Sequence, residues 1–157
     1  MQEFANPHSL RNGIFDLLSS VKLATDENVK LLDYTTELFN KNGLSSDYYG
    51  YHNIDHELEV TYVTLMSAIH SLNQKKFRLD DVEYLFASAL LHDFDPGKAA
   101  DRPHEKSVID FINKDEKIQQ LLQDAMIDSN IICALILRTV YPWTCLLYTS
   151  PSPRDRG

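Results

Sequence analysis

Cysteine is scarce in this chain of 157 residues: Cys133 and Cys145 are the only two. They form no CxxC pair and no disulfide framework, so a reducing, cytoplasmic compartment is the expectation. Basic residues are also in deficit, with 15 Lys and Arg against 23 Asp and Glu and a formal net charge of −8. A nucleic-acid polymer is therefore not the expected partner, because binding its backbone needs clustered cations. A small phosphate can still be held through a metal ion. Long hydrophobic runs are missing as well. The longest, such as IICALIL at 131–137, fall far short of the roughly 20 residues of a membrane span. The opening MQEFANPHSLRNGIFDLL has neither the basic start nor the long apolar run of an export signal. No membrane partner is expected. No stretch alternates in the manner of a strand, and there is no internal repeat or low-complexity segment.

What is present has helical spacing. From Asp26 the series Val29, Leu32, Asp33, Thr36, Leu38, Phe39 predicts a helix that stops at Asn42-Gly43. Ser45, Ser46 and Asp47 offer N-caps for a second helix, whose apolar positions Leu58, Val60, Val63, Met66 and Ile69 carry it to about Leu72. Asp80 or Asp81 can cap a third, in which Val82, Leu85, Phe86, Ala89 and Leu90 recur before His92-Asp93, with Pro96-Gly97 as its stop. Pro103 suits the first turn of a fourth, with Val108, Phe111 and Ile112 as its buried face. Two short helices are expected at 115–127 and 129–139, and Cys133 is expected in the core. The class predicted is all-α, a helical bundle in one domain.

The final stretch, CLLYTSPSPRDRG, abandons this periodicity for a Pro/Ser/Arg-rich composition. It resembles the translation of a sequencing-library adapter, most closely over 145–155. The expectation is a domain over 1–144, incomplete at its C-terminus, followed by a non-native tail over 145–157.

Three pieces carry chemistry: His52-Asn53 with His56, then His92-Asp93, then a loop with Asp95, Lys98, Arg102 and His104. Histidines four apart on a helix face the same way, with Cβ atoms roughly 5–6 Å apart, so His52 and His56 can serve one cavity. His92-Asp93 emerges from an apolar run, ALLHDFD, and polar groups leaving a core need partners. A metal ion supplies them, since imidazole and carboxylate suit zinc, iron and manganese, and oxygen-rich sites suit magnesium.

YHNIDHELEV followed by ALLHDFD and Pro96-Gly97 resembles the HD-domain metal-dependent phosphohydrolases, and among them the cyclic-nucleotide phosphodiesterases. The resemblance covers about residues 47–112 and implies an HD-type helical bundle that hydrolyses a phosphate ester, of a nucleotide or another small phosphorylated molecule. It implies that His56, His92 and Asp93 ligate a divalent metal (Zn, Mn, Mg or Fe), and that His52 protonates the leaving group. The last is chemically apt, because imidazole titrates at about 6.5. It also implies a fourth ligand, a downstream Asp. Asp101, Asp110, Asp115, Asp124 and Asp128 are available, but none has a family motif around it. The alternative is that this ligand lies beyond Trp143 or Thr144 in a missing segment, which would leave the present chain inactive.

Asp95 would orient a ligating histidine or begin the turn at Pro96. Lys98 and Arg102 would contact substrate phosphate or be ordinary loop cations, and His104 would be an accessory ligand or a helix start. Two other functions fit the same residues: a non-catalytic nucleotide-binding or regulatory module, and a di-iron enzyme of different chemistry. Fold-level likeness cannot choose the substrate or the oligomeric state.

Overall fold

A computed structural model describes residues 7–41, 54–92, 94 and 105–140. Seven helices account for almost all of them: α1 (Pro7–Ser20), α2 (Asp26–Lys41), α3 (Ile54–Asn73), α4 (Leu79–Leu91), α5 (Glu105–Lys114), α6 (Glu116–Asp124) and α7 (Ser129–Val140). Among the described residues there is no strand, so the all-α class is as expected. No single helix among them is long and apolar enough to cross a membrane.

Helix α1 is an addition to those expected. Its first position is Pro7, where a missing N–H costs nothing. Leu10, Ile14 and Leu18 follow at helical spacing and are buried on one face. Helix α2 starts on Thr25, whose hydroxyl accepts from the Asn28 amide at 3.2 Å. It buries Asn28, Leu31, Leu32 and Thr35. The buried Asn28 side chain donates to the Leu23 carbonyl (3.0 Å) and to Glu83 on α4 (2.8 Å), tying the α1–α2 connection to the middle of the domain.

Helices α1, α3 and α6 end in the same way. Lys22, Lys75 and Met126 adopt φ of 64°, 63° and 61°. The amide after each reaches five residues back: Leu23 to Leu18 at 2.8 Å, Lys76 to Ser71 at 2.9 Å, Ile127 to Leu122 at 2.8 Å. This closure satisfies carbonyls that a helix end leaves open, and it normally favours glycine at the left-handed position. The three side chains there therefore carry a conformational cost of about 1–2 kcal/mol each.

Helix α4 is the centre of the packing, lying against α3, α7 and α2. Phe86, Ala87, Ser88, Ala89, Leu90 and Leu91 are all buried, as expected of a helix apolar all round. Its entry differs from the expectation. Asp80 and Asp81 are inside the first turn; Arg78 holds the cap position, and the Asp81 carboxylate accepts from the Arg78 amide at 2.9 Å. The helix also stops earlier than Pro96-Gly97 would require, at Leu91.

Helix α3 lies between α1 and α4. The face it buries is Leu58, Thr61, Leu65 and Ala68, whereas Val63 and Met66, expected inside, are 53% and 46% exposed. Helix α5 buries Val108 and Ile112 as expected, with Phe111 half-buried and edge-on to Phe94. Asp115 caps α6 by accepting from Ile118 at 3.0 Å, and the same carboxylate oxygen accepts from Tyr34 of α2 at 3.0 Å. The helices expected at 115–127 and 129–139 correspond to α6 and α7. Cys133 is half-buried against the core, and burial pushes its thiol pKa up.

Candidate functional site

A short connection at 74–78 joins α3 to α4. The two helices pack closely and run antiparallel, so the start of α3 lies beside the end of α4. His56 is in the first turn of α3 and His92 follows the last residue of α4. Their rings meet edge to face with centroids 5.7 Å apart and planes at 64°. Two imidazoles sharing a tetrahedral ion through bonds of about 2.0–2.1 Å have centroids roughly 5 Å apart. The observed separation lies within about 1 Å of that value.

His92 is 4% exposed. Its Nδ1 lies 2.7 Å from the Ala89 carbonyl oxygen. A carbonyl can only accept, so this contact requires a proton on Nδ1, and a neutral ring then carries its lone pair on Nε2. Backbone hydrogen bonding of this kind fixes the tautomer and orientation of ligating histidines. The same Nδ1 is 3.6 Å from Oε2 of Glu57, which is 1% exposed. That distance is too long for a hydrogen bond, but it places a carboxylate beside the imidazole N–H away from bulk water. Glu57 is absent from the residues that spacing picks out. A glutamate within HELE invites a solvated reading, and only the rotation of α3 turns it inward.

His52, Asp93, Asp95, Lys98, Arg102 and His104 lie outside the described residues, as do Asp101 and the aromatic run at Tyr48, Tyr49 and Tyr51. The remaining candidates for a fourth ligand are otherwise engaged. Asp110 pairs with Lys106 at 3.9 Å, and Asp115 caps α6 and takes the Tyr34 hydroxyl. Asp124 accepts from Gln120 at 2.7 Å, and Asp128 accepts from the Asn130 amide at 2.9 Å. Among the described residues no three His, Cys, Asp or Glu side chains form a metal-holding group, and Asp93, the expected third member, is outside that set.

No family model, curated protein or solved structure matches the chain.

A cavity of about 600 Å³ opens at the other end of α4, lined among others by Phe77, Arg78, Tyr84, Leu85 and Ile131. It contains no histidine. It offers no paired imidazoles, and convergent ligand atoms matter more to catalysis than volume.

Proposed function

We propose that the chain binds a divalent metal ion and hydrolyses a phosphate ester in the manner of HD-domain phosphohydrolases, its substrate a nucleotide or another small phosphorylated molecule. One observation carries the proposal: two histidines at the ends of different helices approach to a ring separation of 5.7 Å, and the Nδ1 of His92 is engaged by the Ala89 carbonyl at 2.7 Å, so Nε2 is the atom it would offer a cation. His56 and His92, with Asp93 next in the chain, would hold the ion. When bound, a divalent cation supplies activation of water and neutralisation of charge on the phosphoryl oxygens. The chain's own residues do the rest. His52, one helical turn before His56 in sequence, donates a proton to the leaving oxygen as the bond from phosphorus to that oxygen breaks, and water supplies the incoming oxygen. Lys98 and Arg102 offer positive charge to the substrate phosphate.

The test pairs metal analysis with turnover of an aryl phosphate diester. His56→Ala and His92→Ala should lose bound metal and at least about 100-fold in turnover together. His52→Ala should keep its metal and slow the hydrolysis of esters with poor leaving groups by about 10²–10⁴-fold, sparing those whose leaving group needs no proton. Metal and turnover that survive both ligand substitutions would contradict the proposal. Nucleotide binding without turnover would point instead to the regulatory module.

A further inference from the structure

The geometry points to Glu57 as the positioning carboxylate of His92: a buried anion, one residue from His56 in sequence, that strengthens the grip of His92 on a divalent cation without ligating it. This inference rests on the metal-site reading and deepens it.

Three observations lead there. Glu57 is 1% exposed, and a carboxylate that far from water costs free energy unless a positive or proton-donating group answers it. One group beside it is the imidazole of His92, with Oε2 3.6 Å from Nδ1. Nδ1 is the nitrogen that the Ala89 carbonyl engages, so Glu57 lies by the atom of His92 that a metal would not use. Glu57, His56 and His92 do not themselves form a three-ligand metal group, which fits a carboxylate behind the ligand better than one in the ligand set.

The physical consequence follows from charge. When Nε2 shares its lone pair with a cation, the ring becomes more positive and its N–H more polar. The Ala89 carbonyl at 2.7 Å already holds that proton and sets the tautomer. When ionised, Glu57 adds a full negative charge in a water-excluded setting, where electrostatic terms are larger than at the surface. The two partners thus divide the task, with the carbonyl orienting the ring and the carboxylate raising its basicity toward the metal. Carboxylates in this position are typically worth about 10–100-fold in metal affinity.

The experiment uses the whole chain with Zn²⁺ alone, titrated calorimetrically into wild type, Glu57→Gln and His92→Ala, with circular dichroism to check folding. In parallel, nitrogen-correlated NMR of the imidazoles reads the protonation site of His92. Glu57→Gln, which keeps the shape and removes the charge, should bind Zn²⁺ about 10–100-fold more weakly while His92 keeps its proton on Nδ1. Unchanged affinity in a folded Glu57→Gln protein would overturn the inference and leave the metal site standing. Equal Zn²⁺ affinity in wild type and His92→Ala would instead remove the metal-site reading, and the inference with it. Should Glu57→Gln fail to fold, Glu57→Asp, which keeps the charge and withdraws it by one methylene, takes its place: weaker Zn²⁺ binding with Nδ1 still protonated supports the role, and unchanged affinity, or Zn²⁺ bound through Nδ1 in wild type, overturns it.

Discussion

Tyr34 shows what one polar contact does in this fold. Its hydroxyl donates to Asp115, which also caps α6, so a single phenol joins α2 to the start of another helix. Burial first, then the hydrogen bond and the negative charge of Asp115, pushes the Tyr34 pKa up to about 12 from 10.0. The folded state therefore holds this proton more tightly than the unfolded chain does. The stabilisation is present in full below about pH 10 and is lost as pH rises from there through about 12. Urea unfolding of wild type and Tyr34→Phe should show a constant difference in stability below pH 10 that shrinks across that interval. A difference that stays constant to pH 12 would mean the contact is not made in solution. His92 and Glu57 mark the limit of sequence at this scale. His92 stands out because a His-Asp pair ends an apolar run, whereas Glu57 takes its significance from a neighbour 35 positions away, reached only through the packing of α3 on α4.

Among the helices, α3 is where hydrophobic periodicity misleads. Of the expected positions Leu58, Val60, Val63, Met66 and Ile69, Leu58 is buried and Ile69 packs against the core, but Val63 and Met66 face out and the buried stripe runs Leu58, Thr61, Leu65 and Ala68. Polar residues can occupy it because their needs are met locally. The Thr61 hydroxyl donates to the Glu57 carbonyl at 2.7 Å, as Thr35 of α2 does to Leu31 at 2.8 Å. A threonine so bonded packs as a methyl group, which hydropathy does not register. The two alternatives differ in a measurable way. Leu65→Ala should cost about 2–5 kcal/mol by urea unfolding, while Met66→Gln should change stability by less than about 0.5 kcal/mol. The reverse order would rotate α3 back to the face its hydropathy suggests, and would turn Glu57 away from His92. Helices α2, α4, α6 and α7 were legible because their caps or apolar spacing are unambiguous: Asp26 and Glu27 in one first turn, Asp115 at another start. The same spacing is present in α1 at Leu10, Ile14 and Leu18, and there a stretch that also begins the chain conceals a core helix.

Across the whole molecule, the α3–α4 hairpin explains how two short motifs separated in sequence become neighbours. Starting from the 74–78 connection, α3 runs back to His56 over about 26 Å and α4 runs forward to His92 over about 20 Å. Arms of comparable length bring the two histidines to the same end. Sequence shows the motifs and their helices, but not the match in length and rotation that makes the rings meet. The proposed ion would then fasten the open end of this hairpin, with binding adding to folding stability. The most direct measurement is X-ray absorption at the zinc edge on the Zn²⁺-loaded chain, compared with His56→Ala and His92→Ala. Wild type should show a nitrogen/oxygen shell at about 2.0–2.1 Å containing at least two imidazoles, with one fewer in each variant. A shell without imidazole, or one that neither substitution alters, would contradict the proposed site.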